Sequence, residues 1–227
     1  MAEQYEINRM GKDESWRMFR IMGEMVEGFD ELSAIGPAVT VYGSARLKEN
    51  DPLYGEIAEI TRRLAEVGFT IITGGGPGAM EAANRGAFEI GGTSIGLNID
   101  LPFEQTLNAF TTQSITFHHF FARKVMLVKY ATAFVIMPGG WGTLDELSEV
   151  ITLIQTQKIK PFPVILYQSD YWEGFLNWME KTVLARGSIS PEDMELIRVC
   201  DDPDNVVEIV QSWYLRNELV GRKALRD

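Results

Sequence analysis

The sequence predicts a single α/β domain: a doubly wound, Rossmann-like parallel sheet with helices on both faces and an N-terminal helical arm. Short apolar runs rich in β-branched residues alternate with amphipathic helical segments, which is the order of elements in a parallel sheet. Two glycine-rich turns each follow an apolar run and open a helix. No stretch is rich enough in Pro, Gly or Ser to serve as a linker, so one sheet accounts for the pattern.

The first predicted element is a helix over residues 13–32, whose apolar side chains recur at helical spacing. We therefore divide the chain into a helical arm, residues 1–36, and a Rossmann-like domain, residues 37–227. The apolar stripe predicts that the arm docks on the core or on another subunit. Its members are Trp16, Phe19, Met22, Met25, Val26 and Phe29.

Strands and helices then alternate to the end of the chain. Continuous apolar runs predict strands at 38–43, 69–72, 93–99, 114–119, 132–137 and 161–167, and a short extended piece at 196–202. Amphipathic segments predict helices at 51–68, 81–92, 120–130, 143–157, 171–187 and 205–219. Gly68 ends the first of these helices in the C-cap position.

Composition excludes several classes of protein. The 227 residues are 45% hydrophobic and 23% charged, as in a globular protein. No apolar stretch reaches membrane-spanning length, and the first residues are too polar for a secretory signal. The formal net charge of -11 argues against nucleic acid or an anionic membrane as a partner.

The cysteine and histidine content narrows the chemistry further. A single cysteine, Cys200, rules out an internal disulfide and predicts a reducing, cytoplasmic location. The two histidines, His118 and His119, are adjacent, and we interpret them as strand-end or packing residues. Because the sequence has no Cys/His cluster with ligand spacing, no metal site is predicted.

The first glycine turn is TGGGPGAM, residues 73–80. Gly74, Gly75 and Gly76 let a ligand approach the backbone closely, and the helix that follows supplies unpaired N–H groups with a partial positive charge. These features suit phosphate. A tight strand-to-helix connection without a ligand explains a single turn of this kind equally well.

The second turn, PGGWGT, has the same context of strand before and helix after. Gly139, Gly140 and Gly142 can form a nest for an anion, with the Thr143 hydroxyl as N-cap or as a donor to phosphate. Because the carboxyl ends of parallel strands share one edge of the sheet, two such turns favour a phosphorylated ligand over simple packing.

Two common nucleotide-binding motifs are absent from the sequence. Neither turn is followed by Gly-Lys-Ser/Thr, which excludes a P-loop. Asn98 stands where a dinucleotide site would carry an acidic residue. A nucleoside monophosphate or a sugar phosphate is therefore the predicted class of ligand.

Three motifs together resemble the Lonely Guy family: GGGPGAM at 74–80, the Arg-Lys pair at 123–124 and PGGWGTLDE at 138–146. Members of this family are cytokinin-activating nucleoside 5'-monophosphate phosphoribohydrolases, often labelled lysine decarboxylases. The family pattern PGGxGTxxE is matched at every fixed position. The resemblance extends from about residue 37 to residue 186, with the motifs in the same order.

Two further features are similar to the longer bacterial branch of the family. They are the segment GLNIDLPFEQTLN, residues 96–108, and the N-terminal arm. Many short members have a histidine three residues before the arginine, where this chain has Phe120. This departure concerns substrate preference more than the reaction.

The resemblance implies hydrolysis of the N-glycosidic bond of AMP or an N6-modified AMP, giving free base and ribose 5-phosphate. It implies no cofactor, a small nucleotide as the partner, and a homodimer or larger homo-oligomer. It also implies catalytic roles for Glu146 and Arg123. A carboxylate beside the ribose suits this chemistry, because cleavage passes through an oxocarbenium-like sugar.

Each catalytic residue also has a structural explanation. Glu146 could form a capping box with Thr143, and Arg123 could be a surface cation. Asp145 is interpreted as a solvated charge near the helix N-terminus. Lys124 is turned by about 100° from Arg123 on a helix, so one of the two is expected to face the ligand.

The remaining predicted contacts concern the substrate. Ser44 and Asn98 follow or end predicted strands, where ligand contact and ordinary turn chemistry are both expected. The complete set of predicted substrate-binding residues is Ser44, Gly74, Gly75, Gly76, Gly78, Met80, Asn98, Lys124, Gly139, Gly140, Gly142 and Thr143.

Two other functional classes are compatible with the same fold. A carrier would bind a nucleotide or cofactor without cleaving it, and it would not need Glu146 and Arg123 together. A lysine decarboxylase would need a lysine that forms a Schiff base with pyridoxal phosphate. No lysine adjoins either glycine turn in the sequence, which disfavours the decarboxylase.

Overall fold

The computed structural model of the chain describes residues 14–101 and 107–224. The helices in these ranges are α1 (Glu14–Glu31), α2 (Pro52–Glu66), α3 (Ala79–Phe88), α4 (Phe120–Lys129), α5 (Trp141–Gln155), α6 (Ser169–Trp178), α7 (Pro191–Met194) and α8 (Pro203–Ala224). A π-helical segment, Met179–Leu184, continues α6. The strands are β1 (Ala38–Tyr42), β2 (Thr70–Thr73), β3 (Ser94–Ile99), β4 (Gln113–Phe117), β5 (Ala131–Ile136), β6 (Val164–Tyr167) and β7 (Ile197–Cys200).

The strands form one sheet in the order β4-β3-β2-β1-β5-β6-β7. Every neighbouring pair described is parallel. The chain builds outward from β1 in one direction and from β5 in the other, which is the doubly wound arrangement. The predicted α/β fold class is confirmed.

Each face of the sheet has its own apolar core. In β1, Ala38 and Tyr42 pack on one face with α4 and α5, and Val39 and Val41 pack on the other with α2, α3 and α8. All five β1 residues are buried, because a central parallel strand is covered on both sides. This explains why the strands appear as continuous apolar runs rather than as alternating ones.

Several predicted boundaries were wrong. Helix α5 begins two residues earlier than predicted, and the predicted helix 171–187 is α6 followed by the π-helical segment. The short helix α7 was not predicted; it begins with a Ser190 capping box and a proline at its first position. Residues 1–13 of the predicted arm, and 102–106 within the segment 96–108, lie outside the described ranges.

The carboxyl-terminal part of helix α1 packs on α4. A Cβ added to Gly28 would lie 2.9 Å from the Met126 side chain, so a glycine permits this close approach. Leu32, which follows α1, is fully buried in the core. The division of the chain into arm and domain remains a prediction.

None of the helices described combines the length and the apolar composition that crossing a membrane requires. Within residues 14–101 and 107–224, no three His, Cys, Asp or Glu side chains are grouped so that they could hold a metal ion.

Candidate active site

The loops that follow β1, β2 and β5 interlock at the carboxyl edge of the sheet. The Ala79 N–H donates to the Ser44 carbonyl at 3.0 Å, and the Ser44 N–H donates to the Pro138 carbonyl at 3.1 Å. A Cβ added to Gly43 would lie 2.6 Å from the Ala79 Cβ. Because the strand order reverses between β1 and β5, this edge is where a doubly wound sheet opens a crevice for a ligand.

Buried polar side chains hold the first glycine turn. The Gly75 N–H donates to the Thr73 hydroxyl at 2.9 Å, and the Asn108 N–H donates to the Gly75 carbonyl at 2.9 Å. The Asn108 side-chain amide donates to the Gly76 carbonyl at 3.0 Å and to the Asn84 side-chain carbonyl at 2.9 Å. Since Thr73, Asn84 and Asn108 are buried, the network fixes the turn without a ligand.

This network was not predicted from the sequence. Asn84 lies on α3 and donates on to the Ser94 hydroxyl of β3 at 2.8 Å, so the network joins elements that are distant in sequence. Asparagine is also a common turn residue, so its presence at position 108 does not by itself indicate a supporting role. Nothing in the local pattern indicated that these side chains support the turn.

Two glycines of the first turn are required by the fold itself. Gly75 and Gly78 both have φ near 70°, a conformation that disfavours any side chain. A Cβ on Gly78 would lie 2.5 Å from the Ser44 carbonyl, and one on Gly75 would lie 3.1 Å from the Gly96 Cα. Packing alone therefore requires glycine at these two positions, and their contact with a ligand stays a prediction.

The second turn starts α5 earlier than the sequence indicated. Helix α5 begins at Trp141 with Gly140 as its N-cap and with no side-chain cap. The predicted N-cap role of Thr143 is therefore wrong, because the glycine already provides an acceptable N-cap. Thr143 is the third helical residue and is buried, and a Cβ added to Gly139 would collide with its hydroxyl. A Cβ added to Gly140 or Gly142 would meet no described atom within 4 Å.

A cleft of about 840 Å³ adjoins this second turn. The Tyr171 hydroxyl donates to the Gly139 carbonyl at 2.8 Å, which occupies that acceptor. Arg46 and Lys48, on the loop after β1, also line the cleft, and neither forms an ion pair with any described residue. Sequence reasoning missed these two cations. The available signal was a pair of basic residues directly after a strand end in an acidic chain.

Arg123 and Glu146 form a buried ion pair between α4 and α5. The Arg123 Nη2 donates to the Glu146 Oε1 at 2.8 Å, and the two side chains are 10% and 14% exposed. The Arg123 Nε is buried and finds no hydrogen-bond partner among the described residues. A Cβ added to Gly74 would lie 2.8 Å from the Met80 Sδ and 3.5 Å from the Arg123 Nη2. The pair therefore borders the first glycine turn.

Both structural explanations for these residues are wrong. Arg123 is not a surface cation, because it is buried against Glu146. Glu146 does not form a capping box with Thr143, because the helix begins at Trp141 and Glu146 lies in its second turn. Burial raises the pKa of Glu146 above its ordinary value, and the Arg123 guanidinium offsets only part of that shift.

Lys124 faces away from this pair. Its Nζ lies 2.9 Å from the Asp145 Oδ2 and 3.3 Å from the Glu149 Oε2. Burial lowers the pKa of Lys124, but the two carboxylates outweigh burial and the net shift is upward. The structure thus separates Arg123 from Lys124 as the helical rotation predicts, and Asp145 is exposed but paired rather than simply solvated.

Ser44 and Asn98 differ in their surroundings. The Ser44 hydroxyl accepts from the Arg46 N–H at 3.1 Å, which is turn chemistry. Asn98 is buried near the end of β3, and its Oδ1 has no partner among the described residues. An unsatisfied buried acceptor is costly unless a ligand or water supplies a donor. Asn98 forms no described hydrogen bond with the Arg123–Glu146 pair.

Comparison of the sequence with known proteins gives one matching family and several similar proteins. A model of the family described as "Possible lysine decarboxylase" matches residues 80–210. A protein of Rhodococcoides fascians named cytokinin riboside 5'-monophosphate phosphoribohydrolase is 26% identical over 179 residues, covering 77% of this chain and 89% of the relative. A Mycobacterium tuberculosis protein of the same name is 30% identical over 172 residues, covering 72% and 88%. The chain is also 35% identical to LOG1 of Arabidopsis thaliana over 102 residues, which cover 47% of that protein.

Solved structures with the same fold include molybdenum cofactor proteins. A molybdenum cofactor binding protein of Rippkaea orientalis aligns with a TM-score of 0.59 at 22% identity, covering 79% of this chain and 98% of that one. The molybdenum cofactor carrier protein of Chlamydomonas reinhardtii aligns with a TM-score of 0.55 at 22% identity, with the same coverage. At this level of identity the likeness concerns the fold.

Replacing Arg123 by Met should lower the free energy of unfolding by about 3 kcal/mol near neutral pH, because it leaves the Glu146 carboxylate buried and unpaired. It also removes the charge that lowers the pKa of Glu146, so that pKa rises further above its unfolded value. A carboxyl with a raised folded-state pKa costs stability as pH rises through that pKa. The deficit should therefore be smaller at pH 5 than at pH 8, as measured by urea unfolding.

Lys124→Met is the matched control for this measurement. Its partners are the exposed Asp145 and the partly exposed Glu149, so its loss should cost less than about 1 kcal/mol at both pH values. Equal deficits for Arg123→Met at pH 5 and pH 8 would contradict the assignment of a buried, counter-ion-dependent carboxylate.

Proposed function

The chain belongs to the Lonely Guy family, and on this premise we propose that it hydrolyses the N-glycosidic bond of a purine nucleoside 5'-monophosphate. The substrate is AMP or an N6-modified AMP, and the products are the free base and ribose 5-phosphate. The observation that carries the proposal is the buried Arg123–Glu146 pair beside a glycine turn. The single cysteine supports a reducing, cytoplasmic setting.

The phosphate end of the substrate lies between the two glycine turns in this proposal. The open backbone at Gly140 and Gly142 and the start of α5, which has no side-chain cap, provide N–H groups for an anion. Arg46 and Lys48, which form no ion pair within the described part of the chain, provide positive charge in the adjoining cleft. These local cations are compatible with a chain whose net charge is -11, because a small ligand responds to nearby charges.

Glu146 acts at the ribose. As the bond between C1' and the base nitrogen breaks, its electron pair leaves with the base and C1' becomes positively charged. The ionised carboxylate stabilises that charge and accepts a proton from the water that adds to C1'. The leaving base takes up the proton, so that water is consumed and no cofactor takes part.

Arg123 has two functions in this mechanism. Its Nη2 pairs with the Glu146 carboxylate and favours the ionised form. Its unpartnered Nε–H is a buried donor beside the first turn, where a ribose hydroxyl or a phosphate oxygen can satisfy it. The buried acceptor of Asn98 is a further candidate for a donor group of the substrate.

The carrier is the second candidate function, because molybdenum cofactor proteins share the fold and the cleft has room for more than a phosphate. Detection of nucleotide turnover distinguishes a hydrolase from a carrier. The sequence-based prediction against the decarboxylase requires a correction, because Lys48 lines the same cleft as the second turn although it is distant in sequence. Lys48 is exposed on a loop, however, and a Schiff-base lysine is activated by burial in an apolar pocket or by a cationic neighbour fixed beside it.

AMP should be cleaved at least about 100-fold better than adenosine in kcat/KM, because two charge-assisted hydrogen bonds to phosphate are each worth about 1.5 kcal/mol or more. The measurement is chromatographic detection of free base from a panel of nucleosides and their monophosphates. Equal rates on AMP and adenosine would contradict a phosphate site. Free base from no nucleotide would favour the carrier.

Gly142→Ala sharpens this experiment, because the added methyl meets no described protein atom within 4 Å and position 142 lies inside α5, where alanine is favoured over glycine. It should raise the KM for AMP without lowering the melting temperature. Gly139→Ala is the contrast, since its methyl collides with the Thr143 hydroxyl and should lower both activity and stability.

Glu146→Gln should lower kcat for AMP on the order of 100-fold or more, the scale of losing one positioned catalytic group. The amide keeps the volume and an acceptor for Arg123 but has no charge to stabilise the oxocarbenium ion. AMP binding, measured by calorimetry, should change little or become tighter, because a negative charge near the phosphate is removed. Asp145→Asn, on the exposed side of α5, should cleave at nearly the wild-type rate. Wild-type turnover by Glu146→Gln would remove the catalytic assignment.

A homodimer is the assembly we infer, formed through neighbouring faces of α1 and α4. Trp16, Phe19 and Val26 of α1 are between 63% and 69% exposed, and Phe120 and Phe121 of α4 are exposed as well. An exposed apolar surface of this kind indicates a protein interface. The resemblance to dimeric family members supports a second copy of the chain as its partner.

Light scattering after gel filtration should give at least twice the mass of one chain at micromolar concentration. Val26→Glu should shift the protein toward the monomer, because it places a charge in the apolar surface. Trp178→Glu is the control, since Trp178 is also more than half exposed but lies on α6. A fully active wild-type monomer would contradict the dimer.

A further inference from the structure

A carboxylate of the N-terminal arm is buried at the start of α4. The Glu24 Oε2 accepts the His119 backbone N–H at 3.2 Å, and the Glu24 Oε1 lies 3.0 Å from the His119 Nδ1. The two side chains are 10% and 7% exposed. The exposed His118 ring also lies 3.3 Å from the Glu24 Oε1 and 3.8 Å from Asp100. The arm therefore contacts α4 through a polar group as well as through the apolar contact of Gly28 with Met126.

This contact replaces the cap that α4 does not supply itself. His119 is the N-cap residue of α4, and its own side chain makes no capping hydrogen bond. Glu24 brings an acceptor and a negative charge to the helix N-terminus from another helix. Both are favourable there, because the first N–H groups are unpaired and the helix dipole is positive at this end.

Arg123 is held by the same residue. Its backbone N–H donates to the His119 carbonyl at 3.2 Å in the first turn of α4. The direction of this turn determines where the Arg123 guanidinium meets the Glu146 carboxylate on α5. A shift of His119 would therefore move the guanidinium relative to its partner.

Burial of Glu24 is not explained by packing. Leu32 and the close contact of Gly28 with Met126 provide apolar attachment for the arm. A buried carboxylate costs free energy unless it is hydrogen-bonded, and an apolar residue would add attachment without that cost. The polar contact instead specifies one position for the start of α4.

We propose that Glu24 is a positioning residue, which acts through His119 and the first turn of α4 to place Arg123 against Glu146. The proposal rests on the proposed function, since it concerns the same ion pair. Glu24 lies outside residues 80–210, the segment that the family model matches. The arm is therefore part of the active-site support and not only a surface for assembly.

Glu24→Ala should lower kcat for AMP by about 10-fold or more, because small misplacements of a catalytic group cost up to about 100-fold. Glu24→Gln keeps an acceptor for the His119 N–H and should stay within about 3-fold of wild type. Glu27→Ala is the matched control, because Glu27 is an exposed acid on the same helix. Rates are compared at saturating AMP and are expressed per folded molecule. A purely structural role of Glu24 would leave this rate unchanged.

Glu24→Asp keeps the charge but shortens the reach by one methylene, and it tests the proposal if the alanine variant does not fold. It should lower kcat by about 3-fold or more with a melting temperature close to wild type. The double variant with Arg123→Lys should lose less than the product of the two single losses, because both changes affect one ion pair. Independent, multiplying losses would overturn the proposal.

A measurement that does not depend on turnover separates this proposal from the proposed function. The buried Arg123 Nε–H should give a slowly exchanging signal in arginine-selective 15N NMR, assigned by its absence in Arg123→Lys. Glu24→Ala should shift this signal, and Glu27→Ala should not. An unmoved signal, or a kcat for Glu24→Ala equal to that of Glu27→Ala, would overturn the positioning role. Absence of AMP cleavage by the wild type would instead refute the proposed function.

Discussion

The arrangement of the carboxyl edge of the sheet depends on one ion pair, Arg123 with Glu146, which is largely removed from water. Removing either charge from water costs several kcal/mol, and the cost is offset only if the two groups meet in good geometry. Arg123 is on α4 and Glu146 is on α5, the helices that precede and follow β5 in the chain and pack on the same face of the sheet. The two helices must therefore start at fixed points, and the caps and turns described above serve that constraint. The second turn fixes the start of α5, and Glu24 fixes the start of α4.

The glycines of the two turns serve different physical purposes. Gly78 is needed by the fold, because its backbone has a positive φ and a carbonyl occupies the space of a side chain. Gly140 and Gly142 face open space, so no internal contact explains the absence of a side chain. The first turn is a rigid wall held by the Asn84 and Asn108 network. The second turn is the accessible one, and it is the better candidate for direct phosphate contact.

The sequence was sufficient to predict the fold class, because the alternation of apolar runs with amphipathic helices is a local pattern. Apolar runs such as Val39–Val41 and the helices between them indicate a parallel sheet without any knowledge of distant contacts. The site was predictable only where a motif carried it. The pairing of Arg123 with Glu146 spans 23 residues and that of Glu24 with His119 spans 95, and no periodicity specifies such partners. The start of α5 was misjudged for a simpler reason: a glycine can serve as N-cap, so Thr143 was not needed.

Two opposing effects set the pKa of Glu146, on which its proposed catalytic role depends. Burial raises the pKa of Glu146, which makes its ionised form a stronger base, and the Arg123 guanidinium lowers the pKa and favours that ionised form. Burial alone would favour the neutral acid, and a neutral acid could not stabilise a positive sugar. A fully solvated pair would leave a carboxylate too weakly basic to take a proton from water. The proposed chemistry therefore requires the pair to be buried together and accurately placed. In our proposals, that requirement connects the arm, through Glu24 and His119, to the Arg123–Glu146 pair.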